Sequence, residues 1–349
     1  MVLFNPTEER RALARRVVSR NQPWRGRNDL WFTSDPLLGA PHRGKVAFLF
    51  PGLESTFAPQ MDDVIECLTP CGQFRNILDS TAPVDAIGRH SLQVIYVGKL
   101  LNAALNRMGI HADAVAGHSI GEWTAMMAAG AFSDAGADAL LNSFNPDEIC
   151  VPPVSFGAVG ASADAVGKML ASHLGVVLSH DNGPRQSVVC GPLPAVQRLL
   201  EQLRDHGISG QVLPFRSGFH TPMLAPYLSS FREATSIIPM LPPRIPLWSG
   251  TLADPFPATA PEMHQLFIRH LLEPVRFRPL VKRLHETGVR VFMQVGTGQL
   301  SALVGQILRG HPHLAIAANS PRRSGLQQLL RVAAAMWVEG RTVDPRCLQ

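Results

Sequence analysis

Gly117-His118-Ser119-Ile120-Gly121 sets a serine between two glycines, each two residues away, which is the G-x-S-x-G spacing of a nucleophile elbow. The glycines allow the backbone to turn sharply, and such a turn lifts Ser119 Oγ above a sheet edge. The amides that follow, headed by Ile120 N–H, open a helix and can hold a developing oxyanion. A serine hydroxyl is a weak nucleophile without a base, so a histidine must reach it. Of the thirteen histidines, His220 in Ser217-Gly-Phe-His-Thr-Pro-Met223 is the best placed, because a proline-interrupted loop can present an exposed, positioned side chain. His118 adjoins the serine, but neighbouring side chains diverge at a sharp turn, so it is expected to line the pocket. His311 and His313, in Gly-His-Pro-His, read as a surface loop.

The elements that must position this chemistry are those of an α/β chain. Lys45-Val-Ala-Phe-Leu-Phe50 is an apolar run ended by Pro51-Gly52, a buried strand opening onto a turn. Residues 112–116 read as a second strand leading into the elbow, and the small-residue run 122–129 as the helix after it. Between these strands, residues 91–108 carry Val94, Val97, Leu101 and Leu105 at helical spacing, the crossover a parallel sheet needs. Residues 154–159, 175–178, 186–190 and 210–215 read as strands, with helices over 162–173 and 193–206. That order, βαββαβ, is the ferredoxin-like unit. Strands at 245–248 and 289–295, with helices near 262–272, 276–287 and 324–339, return the chain to the large sheet. The expected organisation is a basic arm at 1–44, a catalytic domain from 45–150 and 216–340, and a small inserted domain at 151–215. The arm is expected to be a solvated helix followed by an irregular linker, with docking to an acidic protein as its functional alternative.

Four segments in register then carry a family resemblance: Phe50-Pro51-Gly52, Gly117-His118-Ser119-Ile120-Gly121-Glu122, Gly218-Phe219-His220-Thr221-Pro222 and Val295-Gly296-Thr297-Gly298. Over roughly residues 45–335 the chain resembles the acyl-carrier-protein acyltransferases, which include malonyl-CoA:ACP transacylases and the acyltransferase domains of polyketide synthases. The resemblance implies an α/β-hydrolase-like large domain with a parallel sheet, carrying the ferredoxin-like small one. It implies a ping-pong reaction in which Ser119 takes an acyl group from a thioester and a carrier protein's phosphopantetheine thiol removes it. By the same carry-over His220 is the base and acid, and the amides of Leu53 and Ile120 form the oxyanion hole. A backbone carbonyl from Trp248-Ser249-Gly250, at Ser249, orients the histidine, so no acidic triad member is expected. Asn182, in Asn182-Gly-Pro-Arg-Gln186, lies close to the site.

The sequence also departs from that family. Malonyl-type members hold the substrate carboxylate with an arginine about 25 residues past the serine, a bidentate pairing suited to guanidinium geometry. Phe144 falls there, and no arginine occurs between Arg107 and Arg185. A buried carboxylate without a counter-ion is costly, so malonyl and methylmalonyl groups are not expected as substrates. Gly52-Leu53-Glu54-Ser55 replaces the usual Gly-Gln-Gly-Ser, and Gln294-Val-Gly-Thr-Gly298 replaces Glu-Val-Gly-Pro-Gly. With Leu53, Met126, Phe144 and Phe219 around the acyl group, the pocket is expected to be apolar and to take a non-carboxylated acyl, aminoacyl or peptidyl chain. The same four side chains also suit ordinary core packing.

Composition bounds the reading. With 349 residues, 46% hydrophobic and 17% charged, the chain can bury a large core, which excludes disorder. Five cysteines, only Cys67 and Cys71 close together, give no zinc-site pattern and fit a reducing cytoplasm. No apolar run approaches the about 18 residues of a membrane span, and the Arg-rich start does not read as a secretory leader, so a soluble, intracellular protein is expected. A formal charge of +5 argues against a nucleic-acid binder. The expected partners are acyl carrier proteins of a polyketide or peptide-synthetase-like pathway, with the phosphopantetheine (or CoA) arriving as substrate and no bound cofactor or metal. Arg276, Arg278, Lys282 and Arg283 could form a landing surface for an acidic carrier. Two other readings compete: an editing hydrolase with the same Ser-His site, in which water attacks the acyl-serine, and a non-catalytic scaffold with this fold.

Overall fold

The structure is a computed structural model and describes residues 1–54, 57–68, 87–143, 151–214 and 216–348. Its strands run in chain order as β1 Val2–Leu3, β2 Trp24–Arg25, β3 Leu30–Phe32, β4 Lys45–Phe50, β5 Ala114–Gly117, β6 Ser155–Val159 and β7 Val177–Gly183. They continue as β8 Gln186–Gly191, β9 Gly210–Val212, β10 Leu247–Ser249, β11 Asp254–Pro255, β12 Val289–Gln294 and β13 Leu314–Ala317.

Among the described residues the large sheet has six strands in the order β11-β10-β5-β4-β12-β13. It is parallel from β10 through β13, and β11 pairs antiparallel at one edge. Helices cover both faces, which is why β4 reads as a continuous apolar run instead of an alternating one. Its side chains still alternate between two cores. Val46, Phe48 and Phe50 pack on one face with the helix Ile87–Arg107, while Ala47 and Leu49 pack on the other with the helix Phe277–Glu286. A register shift between Val289 and Val291 in β12 puts Val289 and Phe292 on the second face and Val291 and Met293 on the first.

The second sheet has the order β7-β8-β6-β9 and is antiparallel throughout. With the helices Ala163–Leu170 and Leu193–Asp205 this is the ferredoxin-like arrangement. The helix starts at Ser162, whose side chain accepts from Ala165 N–H, as an N-cap does. Strand β7 extends five residues beyond the stretch expected from sequence, to Gly183. That extension ties the small sheet to the segment before the helix Phe277–Glu286: Asp181 N–H donates to Val275 O at 2.8 Å and Val275 N–H to Ser179 O at 2.9 Å. Arg278 clamps the joint by donating to Asp181 at 2.8 Å and Asp164 at 2.8 Å. It is therefore a brace within the fold and not a free member of a carrier landing surface.

The N-terminal segment also differs from the expected irregular linker. After the helix Glu8–Ser19, β3 returns to pair with β1 and β2 pairs with β3, making a three-stranded antiparallel sheet. Ala14, Val17 and Leu30 form its small core, and Arg331 holds Asp29 at 2.9 Å. Strands of two or three residues are too short for a period-2 pattern to register. Among the described residues, no helix is long and apolar enough to cross a membrane.

Candidate active site

Strand β5 ends at Gly117, and the chain turns at once into the helix Gly121–Ala128. His118 N–H donates to Phe50 O at 2.9 Å, and Glu122 N–H donates to Ser119 O at 2.9 Å, closing the turn. Ser119 sits between them with φ +55, a left-handed conformation that a non-glycine residue holds only under constraint. Gly121 shows why that constraint exists: a Cβ there would run into the carbonyl oxygens of Phe50 and Pro51. The bare backbone lets the helix start lie against the end of β4.

His220 is held in the same way, at φ +62, by its N–H donating to Leu271 O at 2.7 Å. Across 101 residues of chain, its Nε2 lies 2.7 Å from Ser119 Oγ. Its Nδ1 lies 2.8 Å from the carbonyl oxygen of His270. A carbonyl only accepts, so Nδ1 carries the proton and Nε2 is left as the acceptor for the serine hydroxyl. The orienting group is a backbone carbonyl, but it belongs to His270 and not to Ser249. Ser249 instead donates its hydroxyl to Glu122 Oε1 at 3.3 Å, and Gly250 N–H donates to Glu122 Oε2 at 2.8 Å.

Leu53 lies on the turn after β4, and Ile120 is the N-cap of the helix that follows Ser119. Neither N–H donates to another described residue. Gly52 brings the two segments together, since a Cβ there would sit 2.7 Å from His118 O and 3.0 Å from Ser119 Cβ.

Ser119 and His220 open into a cavity of about 190 Å³ between the two sheets. Leu53 and Phe219 line it as the sequence suggested, and so do His118 and Asn182, whose Oδ1 lies 2.7 Å from His118 Nε2. Met126 does not: it is buried in the large core, on the inner face of the helix that follows the elbow. Phe144 lies outside the described residues. The rest of the wall includes Phe156, Val188, Leu213, Leu300 and Leu303, together with Glu54, Gln186, Gln211 and Gln299. No lysine or arginine is among the lining residues described. Glu54 makes this wall less uniformly apolar than expected; its carboxylate accepts from Gln299 N–H and the Gln299 amide, each at 3.3 Å.

Four imidazoles gather behind the serine. The His118 and His180 rings stack at 5.2 Å, while His180 and His270 each meet the His220 ring edge to face at 5.0 Å. Burial pushes all four below the usual histidine range, His270 to about 4 and His180 and His220 well below 6.5. His220 is therefore a neutral base at neutral pH. Burial also pushes the Glu122 carboxyl up to about 8. As a neutral acid it can donate to His270 Nδ1, 3.4 Å away, while His270 Nε2–H donates to Ser119 O at 3.1 Å.

Sequence reasoning missed His180, His270 and the inward-facing Glu122. His180 stands two residues before Asn182 on β7 and lines the same cavity, but it falls past the stretch that reads as a strand, so only the pairing of β7 reveals its face. Nothing local marks His270, which comes from the helix Ala260–Leu272 on a different part of the chain.

The model of the family described as acyl transferase domain matches residues 53–309 of this chain. The chain is 32% identical over 250 residues to the spectinabilin polyketide synthase system protein NorB of Streptomyces orinoci, which covers 69% of this chain and only 11% of that protein's length. Among solved structures, the acyltransferase domain from the second module of the salinomycin polyketide synthase superposes with a TM-score of 0.79 at 22% identity, over 99% of this chain and 84% of that one. A loading acyltransferase from the avermectin modular polyketide synthase superposes with a TM-score of 0.72 at 21% identity, over 84% of this chain and 99% of that one. At those identities the two structures establish a shared fold.

Proposed function

This chain belongs to the acyl transferase domain family, and on that premise we propose that it moves a non-carboxylated acyl, aminoacyl or peptidyl group from a thioester to the phosphopantetheine thiol of a carrier protein through an acyl-Ser119 intermediate. The observation that carries this is the 2.7 Å approach of Ser119 Oγ to His220 Nε2, with the imidazole tautomer fixed by the His270 carbonyl.

Ser119 Oγ attacks the thioester carbonyl carbon as its proton passes to His220 Nε2. The free N–H groups of Leu53 and Ile120 receive the oxyanion, and removing one such donor typically costs a hundredfold or more, about 3 kcal/mol. Collapse of the adduct expels the donor thiolate, which leaves with the proton from His220. The acceptor thiol then gives its proton to His220 Nε2 and attacks the serine ester, and the reverse collapse returns that proton to Ser119. Each half-reaction leaves the imidazole neutral, as its buried setting favours.

The acyl group is inferred from charge. The sequence has no arginine between Arg107 and Arg185, and the described cavity wall has no lysine or arginine to pair with a malonyl carboxylate. The relatives named as polyketide synthases support a carrier-protein partner in natural-product assembly. Incubation with a panel of acyl thioesters, followed by intact-protein mass spectrometry, tests the reading: neutral acyl adducts form on Ser119 and discharge onto a holo carrier protein. A malonyl adduct forming fastest would overturn the substrate assignment. Rapid release of free acid, unaffected by the carrier, would make the enzyme a hydrolase instead.

A further inference from the structure

Among the described residues lining the cavity next to Ser119 there is one carboxylate, Glu54, and no lysine or arginine to neutralise it. Glu54 follows the proposed oxyanion donor Leu53 by one residue, and it lines the same cavity as Ser119 and His220. Its only hydrogen-bond partners among the described residues are the N–H and amide of Gln299. The histidines on the same wall, His118, His180 and His220, are held neutral by burial and offer it no counter-charge.

We infer that Glu54 is a specificity-determining residue that pairs with an ammonium group on the acyl chain, so that the substrate is an amine-bearing acyl thioester. The inference rests on the acyl-serine reading above. An unpaired carboxylate in a narrow cavity repels a carboxylated acyl group, is indifferent to a neutral one, and attracts a cation through charge-assisted N–H···O bonds. Gln186 and Gln211 also line the wall, and their side-chain carbonyls are acceptors of the kind an ammonium group needs. Gln299 fixes the carboxylate in place, and its own bonds use only part of the acceptor capacity of the two oxygens. Burial raises the affinity of Glu54 for a proton, and a bound ammonium relieves that same desolvation.

Matched thioesters on one holo carrier protein test this: β-alanyl against butyryl, 6-aminohexanoyl against heptanoyl, and malonyl. Within each of the first two pairs the chains differ only in a terminal ammonium or methyl group. Rates of adduct formation on Ser119, read by intact-protein mass spectrometry, are expected to favour the amine at least about tenfold in one pair or both, which is about 1.4 kcal/mol. Glu54→Gln keeps an oxygen for Gln299 but loses the charge, and is expected to lower that preference about tenfold; Glu54→Asp is expected to retain it. Equal preference in wild type and Glu54→Gln, or wild-type preference for the methyl or malonyl chains, overturns the inference while leaving acyl transfer intact. Absence of any Ser119 adduct overturns the acyl-serine reading and this inference with it.

Discussion

The carbonyl oxygen of His270 lies 2.8 Å from His220 Nδ1, while the His270 ring reaches the other member of the pair, its Nε2 3.1 Å from Ser119 O. One residue thus fixes the tautomer of the base and the backbone of the nucleophile. A carbonyl cannot become the charged partner of an imidazolium as a carboxylate can. The base is accordingly neutral between steps and stabilised in its orientation by geometry alone.

Ser119→Ala is expected to abolish the acyl adduct, and His220→Ala to slow its formation by about 10²–10⁴-fold. Stopped samples analysed by intact-protein mass spectrometry check both. Loss of less than tenfold in His220→Ala would remove it as the base.

The pH profile of acylation follows from the lowered pKa of His220. Burial, aided by His270, favours the uncharged ring, so the active form persists as pH falls below 6.5. The rate is expected to fall only at lower pH, with its half-maximal point below 6.5. A half-maximal point at or above 6.5 in kcat/KM contradicts this environment.

Glu122 gives a stability signature of known sign. Its folded-state pKa is raised from 4.5 to about 8, so its favourable contribution is full below 4.5 and is lost as pH rises through 8. Glu122→Gln retains an acceptor for Gly250 N–H without a titrating group. Its Tm relative to wild type is expected to rise with pH across that interval, and a difference that is flat from pH 5 to 9 refutes the assignment.

Two glycines separate steric need from helix propensity. Gly121→Ala is expected to destabilise by several kcal/mol, beyond the about 1–3 kcal/mol of ordinary overpacking, since its Cβ meets fixed backbone at Phe50 and Pro51. Gly167→Ala, on a helix face with nothing within 4 Å of the new Cβ, is expected to stabilise by about 0.5–1 kcal/mol. Chemical denaturation of the two variants gives opposite signs if both arguments hold.

Local sequence determined the elbow, because the glycines at 117 and 121 and the strand and helix flanking Ser119 are all consequences of residue size and short-range periodicity. It also determined the βαββαβ order, because the helices Ala163–Leu170 and Leu193–Asp205 show their period and divide the apolar strand runs around them. The extension of β7 to Gly183 was not legible, because His180-Asp181-Asn182 is polar and becomes a strand only by pairing with Val188 and Ser187 on one side and bridging Val275 on the other. The same is true of the carbonyl behind His220. Any backbone offers a carbonyl at every residue, so sequence cannot say which one arrives; the docking of the helix Ala260–Leu272 against the 3₁₀ helix Pro222–Tyr227 decides that it is His270 and not Ser249. Charge in the cavity divides along the same line. The missing arginine is a fact of composition, whereas the inward placement of Glu54 and the neutrality of four clustered histidines follow from burial, which exists only once distant segments close over one another.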